Sequence, residues 1–427
     1  MTTPPAECSP LNSMARGLGG SQILRIAGEI RAMQAEGRDI CNLTVGDFSP
    51  AQFRIPEELS SDIAAALARG ETNYPPAVGL PGTRQSIRDL YERELGLSYS
   101  MDSVIMGSGA RPPIFATFSL LVEPGDGVLY GIPSWNVGYY IHMSGARGVG
   151  IVTQPENDFL LNPDQVAAGI AGVALVVLNS PMNPCGTAFS EESLGQICDV
   201  ILTENQRRSQ AGERPVMVLY DQVYWMLTFG DTKHHTPVSV RPEMAAYTVF
   251  VDAISKSFAA TGLRVGWALV PPSLTPAYKA LIGHMGAWAP RPAQIATALL
   301  LDNPEAIQRY HATMKQGCED RLRMLHEGFG NMEAQGLPVH SIAPQGAIYL
   351  SVNFGAALGR RFGDRVLATD EDIRFFLLEE AGFGIVPFQA FGVPEDTGWM
   401  RLSIGAVSLD DIRSGLQRIQ TALEKLD

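Results

Sequence analysis

The chain contains no long apolar run and few cysteines. No stretch reaches the roughly 18 consecutive apolar residues of a membrane helix, and the start, MTTPPAECSP, lacks the basic segment and apolar core of a secretion signal. The scattered cysteines form no C-x-x-C pair: Cys8, Cys41, Cys185, Cys198 and Cys318. We therefore expect a cytoplasmic protein with reduced thiols and no membrane partner.

Clusters of positive charge and metal-ligand spacings are also missing. The net charge is −13 and there is no basic tail, so nucleic acid is not an expected partner. The seven histidines show no H-E-x-x-H spacing, and we interpret His234 and His235 as part of a solvated loop rather than a metal site. No G-x-G-x-x-G follows the first strand, which disfavours a nicotinamide oxidoreductase.

The middle of the chain alternates short apolar runs with helix-like segments. The runs are 127–133, 172–180, 214–221, 246–255 and 262–271. They are apolar throughout rather than alternating, as expected for strands that are covered by helices on both faces. This pattern predicts an α/β unit with a mostly parallel sheet.

The last hundred residues follow a different pattern. Two strand-like runs lie there, 345–354 and 398–407. Thr369 with Asp372 and Ser408 with Asp411 predict capping boxes that begin two helices. An apolar stripe, which we interpret as core packing, follows the second box: Leu409, Ile412, Leu416, Ile419 and Leu423. We expect a smaller α+β unit here, and the amphipathic segment 21–37 is a candidate to pack beside it.

Polar side chains follow three of the apolar runs, at the edge where an open α/β sheet binds ligands. Asn183 lies in a tight turn after 172–180, Asp221 ends the next run with Tyr224 three residues on, and Lys256 follows 246–255. Taken singly, such an aspartate usually caps a helix and such a lysine reaches to water. Together the four side chains predict a functional site.

These groups fit one chemistry. A lysine in a partly dry pocket has a lowered pKa and can form a Schiff base with an aldehyde, and a carboxylate can keep a pyridine nitrogen protonated. Ser255 and Arg264 suit a phosphate, and the glycines of 107–109 precede a predicted helix start that suits an anion. Trp135 follows a strand, where it could stack on a planar ring or be an ordinary half-buried aromatic.

Four motifs resemble those of the class I/II aminotransferases, the aspartate aminotransferase-like enzymes of fold type I that use pyridoxal phosphate (PLP). They are SPMNPCGT, YDQVYW, SKSFAATGLRVGW and MRLSIG, and the resemblance runs from about Asn42 to the C-terminus. It implies a large domain with a mostly parallel sheet flanked by helices and a smaller α+β domain. We expect an N-terminal arm with part of the small domain at 1–60, the large domain at 61–300 and the small domain at 301–427.

The resemblance also implies a role for each matched residue. Lys256 would hold PLP as a Schiff base and move the substrate proton, and Asp221 would pair with the ring nitrogen. Tyr224 and Asn183 would contact the 3-oxygen of the ring, on which Trp135 would stack. The implied phosphate cup consists of Ser255, Arg264, Gly109, Ala110 and Arg111, with Tyr74 from a neighbouring subunit of a homodimer. The implied substrate carboxylate site consists of Arg401, Gly46 and Asn183.

The expected reaction moves an amino group from an L-amino acid to a 2-oxo acid by a ping-pong mechanism. A lyase, decarboxylase or carbon–carbon bond-forming synthase on the same fold is the alternative. The segment GHMGAWAPRPAQ lacks the side-chain-binding arginine of some aspartate-type enzymes, although Arg291 lies a few residues away and Arg111 could serve instead. Met285 and Trp288 suggest that the pocket also takes apolar or aromatic side chains.

Overall fold

The computed structural model describes residues 10–427, so Cys8 lies outside the described residues. The strands are β1 Cys41–Asn42, β2 Val104–Ser108, β3 Gly127–Ile132, β4 Arg147–Val152, β5 Val173–Asn179, β6 Met217–Asp221, β7 Thr248–Ala253, β8 Val265–Leu269, β9 His340–Ser341, β10 Tyr349–Asn353, β11 Arg361–Phe362, β12 Arg365–Val366, β13 Phe383–Gly384, β14 Val386–Pro387 and β15 Trp399–Ser403. The α-helices are α1 Ser13–Gly17, α2 Gln22–Ala35, α3 Glu57–Ala68, α4 Pro81–Leu95, α5 Arg111–Leu121, α6 Val137–Ser144, α7 Pro163–Gly169, α8 Glu191–Ala211, α9 Pro237–Val240, α10 Ile254–Ser257, α11 Thr275–Met285, α12 Arg291–Leu301, α13 Pro304–Ala334, α14 Asp370–Ala381 and α15 Leu409–Leu423.

A seven-stranded sheet forms the largest layer of the described chain, in the order β2-β8-β7-β6-β5-β3-β4. Strand β8 runs antiparallel to both of its neighbours, and the other pairings are parallel. All five apolar runs contain strands of this sheet, which confirms the α/β prediction. Strands β2 and β4 were not predicted.

Helices cover both faces of this sheet. One face packs against α5 and α11 through side chains such as Phe118 and Ile282. The other packs against α4, α8 and α12 through Leu90, Ile197 and Leu300. Because both faces are dry, only the strand ends offer room for polar groups that reach a ligand.

The C-terminal part builds a second, antiparallel sheet in the order β14-β15-β10-β9. Both predicted capping boxes are present, at the starts of α14 and α15. Ile412, Leu416, Ile419 and Leu423 of the predicted stripe are buried. The exact division of the chain at residues 60 and 300 stays a prediction.

The amphipathic segment near the N-terminus forms α2 and packs beside the C-terminal part, as expected. Ile26 and Ile30 are fully buried, and Glu29 pairs with Arg374 of α14 at 3.2 Å. Nearby, β1 pairs in parallel with β13. Helix α2, from the first part of the chain, therefore packs against elements of the last part.

The cysteines of the described chain are structural. Cys41, Cys185, Cys198 and Cys318 are buried and unpaired, and burial raises the pKa of each thiol, so none is a ready nucleophile. No helix within residues 10–427 is long and apolar enough to cross a bilayer.

Ile419→Ala should lower the free energy of unfolding by about 2–5 kcal/mol, because it leaves a cavity under a fully buried position of α15. Gln417→Ala, at an exposed position of the same helix, should change it by less than about 0.5 kcal/mol. Urea unfolding followed by circular dichroism measures both. Equal losses for the two variants would show that the stripe does not pack as described.

Candidate active site

A cavity of about 580 Å³ opens where β5, β6 and β7 end. Most of the residues predicted for the site line it: Gly46, Ala110, Arg111, Trp135, Asn183, Asp221, Tyr224, Ser255, Lys256, Arg264 and Arg401. Gly109 adjoins it through Arg264. The fold thus gathers side chains from segments that lie far apart in sequence.

Lys256 lies in the one-turn helix α10, directly after β7. Its Nζ donates to the carbonyl oxygen of Gly46 at 2.5 Å and lies 5.9 Å and 6.0 Å from the ring centroids of Tyr224 and Phe48. Burial lowers the pKa of Lys256 to about 8; Asp47 opposes this shift and three nearby arginines add to it. The amine is therefore more easily deprotonated than a lysine in water.

Asp221 ends β6, and its Oδ1 accepts from the backbone N–H of Val223 at 3.2 Å. Burial raises the pKa of Asp221 to about 6, against that hydrogen bond. The carboxylate forms no ion pair with any side chain of residues 10–427. Asn179 donates to the Asp221 carbonyl oxygen at 2.8 Å and accepts from the N–H of Asn183 at 2.8 Å, which ties the strand end to the neighbouring turn.

Arg401 is a buried cation of β15, with 1% of its surface exposed. It donates to the carbonyl oxygen of Thr44 at 2.5 Å and to Asn183 Oδ1 at 3.4 Å, and its Cζ lies 4.9 Å from the ring centroids of both Tyr349 and Phe391. No carboxylate of the described chain pairs with it, and its Nε has no partner there. Buried charges are normally paired, so this geometry suits an anionic ligand.

Arg264 is a second cation of the cavity, and it contacts backbone carbonyl groups. Arg264 donates to the carbonyl oxygens of Thr261 at 2.8 Å and Ser108 at 3.1 Å, and no acidic side chain within the described residues pairs with it. A Cβ on Gly109 would lie 2.2 Å from the Arg264 Nη2, and one on Gly266 would lie 2.4 Å from the Gly109 carbonyl carbon. The close approach therefore requires glycine at both positions.

The remaining predicted groups surround this segment. Ala110 caps α5, which begins at Arg111, and Ser255 is 7% exposed beside Lys256. The guanidinium of Arg111 lies 5.0 Å from the ring centroid of the half-buried Trp135. Helix start, hydroxyl and guanidinium together offer donors to an anion.

The sequence model of the family aminotransferase class I and II matches residues 38–419. The chain belongs to this family. An aspartate aminotransferase of Geobacillus stearothermophilus is 30% identical over 411 residues, which cover 95% of this chain and 96% of that protein. An aspartate/prephenate aminotransferase of Cereibacter sphaeroides is 27% identical over 404 residues, covering 94% and 95%.

Solved structures agree. The crystal structure of the aspartate aminotransferase from Rhizobium meliloti superposes with a TM-score of 0.89 at 26% identity and covers 98% of this chain and 100% of that one. The fold type I prediction and the aminotransferase prediction are thereby confirmed. PLP is the coenzyme of this family.

Many side chains that line this cavity were not predicted, among them Tyr349 and Asp47. Tyr349 is 1% exposed, and its hydroxyl lies 2.6 Å from that of Tyr224. Asp47 Oδ1 accepts from the Thr261 hydroxyl at 2.6 Å. A tyrosine within a strand is ordinary and carries no signal, whereas Asp47 stands in the motif TVGDF beside the predicted Gly46.

Four side chains that we considered for the site do not line this cavity: Tyr74, Met285, Trp288 and Arg291. Tyr74 is 81% exposed, and its ring centroid lies 5.2 Å from that of Trp288 in an edge-on contact. Arg291 pairs with Glu71 at 2.6 Å. None of Tyr74, Trp288 and Arg291 lines the cavity, so Arg291 does not supply the missing side-chain arginine within this chain.

His234 differs from the solvated loop that we expected. Its ring centroid lies 6.0 Å and 6.1 Å from those of Tyr220 and Trp225, and burial lowers the pKa of the imidazole to about 3. Its Nε2 also lies 3.3 Å from the amide oxygen of Gln222, so the side chain is held by a polar contact as well as by the rings. Within residues 10–427, no cluster of His, Cys, Asp or Glu side chains could hold a metal ion.

Gly266→Ala should weaken PLP binding by at least about tenfold, or about 1.4 kcal/mol, because the new methyl group displaces the Gly109 backbone. Gly262→Ala is the matched control, since its Cβ would meet nothing within 4 Å. Titration of the apoprotein with PLP measures both. Equal affinity of the two variants would contradict the close approach at Gly109.

Proposed function

We propose that the cavity holds PLP on Lys256 and transfers an amino group from an L-amino acid to a 2-oxo acid in two half-reactions. The observation that supports this most is the meeting of a half-buried, easily deprotonated lysine with arginines that have no carboxylate partner in the described chain. The coenzyme carries an aldehyde, a phosphate and a pyridine nitrogen, and the substrate carries a carboxylate. The residues present fit each of these groups.

The assignment of groups follows the charges. Arg264, next to the glycine approach and the start of α5, suits the phosphate. Asp221 has no cation of its own and suits the protonated ring nitrogen, which would favour its ionised form. The proposed coenzyme contacts are Gly109, Ala110, Arg111, Trp135, Asn183, Asp221, Tyr224, Ser255, Lys256 and Arg264, with Tyr74 from a second subunit.

When bound, PLP supplies an electron sink that stabilises negative charge on the substrate α-carbon. Lys256 must be neutral to accept the proton of that carbon, and its lowered pKa makes the neutral form accessible near neutral pH. The same amine can return the proton, so one side chain serves both directions of transfer. The hydroxyls of Tyr224 and Tyr349 hydrogen-bond to each other, and this contact fixes the Tyr224 ring near the Lys256 amine.

Arg401 is proposed to bind the substrate α-carboxylate, with Gly46 and Asn183 beside it. The buried guanidinium lacks an anion, and a carboxylate can accept two parallel hydrogen bonds from it. Asn183 contacts Arg401 directly, which links the proposed substrate contact to the turn that follows β5.

The amino donor is proposed to be aspartate, glutamate or an aromatic amino acid. Relatives bear the names aspartate and aspartate/prephenate aminotransferase. Arg111 lines the cavity, has no acidic partner in the described chain and is the candidate for a second carboxylate. Apolar side chains of the same cavity, such as Leu24, Tyr140 and Met143, could receive a ring.

A homodimer is part of the proposal. Tyr74 is highly exposed and lies outside the cavity of its own chain, as expected for a side chain that reaches the site of a second copy. A cytoplasmic location is kept as a proposal on the basis of the scattered, unpaired cysteines. The three-part division of the chain is kept as a proposal on the basis of the family resemblance.

Lys256→Ala should abolish turnover and the absorbance band of lysine-bound coenzyme. Borohydride reduction of the wild type, followed by peptide mass spectrometry, should find the coenzyme on Lys256. Lys279→Ala, at an exposed position, should behave as the wild type. A donor and acceptor panel should yield keto acid stoichiometrically; ammonia or carbon dioxide as the main product would contradict transfer.

Arg401→Ala should raise KM for the amino acid by roughly 10- to 150-fold, the equivalent of about 1.5–3 kcal/mol for a charged hydrogen bond. Arg413→Ala, which removes an exposed arginine paired with Asp410, should leave KM unchanged. Steady-state kinetics with circular dichroism as a folding check measures both. An unchanged KM in folded Arg401→Ala would remove the proposed carboxylate contact.

A further inference from the structure

A buried carboxyl group that pairs with no described cation lies within the seven-stranded sheet. Asp252 of β7 is 1% exposed and forms no ion pair with any described side chain. Its neighbour Val251 is the register partner of Asp221. Because successive side chains of a strand point to opposite faces, Asp252 faces away from Asp221 and from the cavity.

Three donors converge on this carboxylate. Its Oδ1 accepts from the backbone N–H of Ala253 at 2.7 Å. Its Oδ2 accepts from Trp225 Nε1 at 2.8 Å and from the Tyr91 hydroxyl at 3.0 Å. Burial raises the pKa of Asp252 to about 8, and these hydrogen bonds oppose the rise because they stabilise the ionised form.

The direction of the Tyr91 hydrogen bond is fixed by its other partners. Trp267 Nε1 at 3.1 Å and Gln222 Nε2 at 3.0 Å both donate to the Tyr91 oxygen. An indole N–H and an amide N–H₂ can only donate, so both acceptor positions of the phenol are used. Its own proton must therefore point to Asp252. His234 Nε2 also lies 3.3 Å from Gln222 Oε1, so six side chains form one network with the carboxylate as its final acceptor.

Three of the charged site residues lie close in sequence to a member of this network, on or next to β6, β7 and β8. The pairs are Gln222 with Asp221, Asp252 with Lys256, and Trp267 with Arg264; their members are one, four and three positions apart in the chain. Asp252 and Trp267 are also register partners across β7 and β8. Tyr91 adds helix α4, so the network spans three adjacent strands and one helix.

We propose that Asp252 is a positioning residue: by collecting donors from β7, α4 and the turn after β6, it fixes the strand ends that hold the coenzyme-binding side chains. The inference rests on the proposed function for those side chains. It assigns Asp252 no contact with substrate or coenzyme, because Asp252 lies on the opposite face of the sheet and does not line the cavity.

Asp252→Asn tests this proposal with little change of shape. The new amide brings an N–H₂ group to a position where three donors converge, so at least one donor loses its acceptor. We expect a folded protein whose dissociation constant for PLP rises about tenfold, the size of effect seen for partners that orient ligand-binding side chains. The pH midpoint of the lysine-bound coenzyme absorbance should also move.

Tyr91→Phe is the second variant and should change both readouts in the same direction, because it removes the hydroxyl that joins three other members. Tyr278→Phe is its matched control: Tyr278 is also fully buried, and its hydroxyl donates to Thr117 at 2.8 Å away from the cavity. The control should lower the melting temperature without changing PLP affinity or the absorbance midpoint.

Two outcomes would overturn the proposal. One is a folded Asp252→Asn variant with wild-type PLP affinity and absorbance midpoint. The other is an equal change of both readouts in Tyr278→Phe, which would indicate general loosening. Failure of the proposed function is recognised separately, because the wild type itself would then take up no coenzyme.

Discussion

Burial of positive charge without a protein carboxylate is the constraint on which the cavity depends. Arg401 is almost fully buried, and within the described residues its hydrogen bonds go to a carbonyl and an amide oxygen. Such a charge is costly unless an anion compensates it. The ligand-free protein therefore carries a cost that a bound anion, such as the proposed phosphate or carboxylate, would remove, and ligand binding should stabilise the folded state by mass action.

The same charges influence the lysine. The arginines lower the pKa of Lys256 in addition to burial, while Asp47 opposes them. When anions neutralise Arg264 and Arg401, part of that lowering is lost and the amine becomes more basic. The proposed anchoring of substrate and the proton affinity of the amine are thus coupled through charge.

Local patterns predicted much of this molecule, and tertiary contacts decided the rest. Continuous apolar runs marked the central strands, and Asp221 and Lys256 were recognisable because Asp221 ends one such run and Lys256 directly follows another. Strand β4 was not predicted: its residues are largely exposed, and it forms because β3 offers it a full register of partners. Tyr349 reaches the cavity from the smaller sheet, and no local pattern encodes that approach.

The role of Asp252 also could not be predicted from local sequence patterns. A carboxylate within the apolar run TVFVDA stands out in the sequence, but the sequence does not show what it binds. Its side-chain donors are Tyr91 and Trp225, and Gln222 and Trp267 donate in turn to the Tyr91 oxygen. These residues are distant from one another in the chain. Apolar packing alone sets the distance between sheet and helix, with little directional preference. Directional hydrogen bonds to one acceptor restrict rotation and sliding as well, and a site that brings an amine and a carboxylate into one cavity requires that restriction.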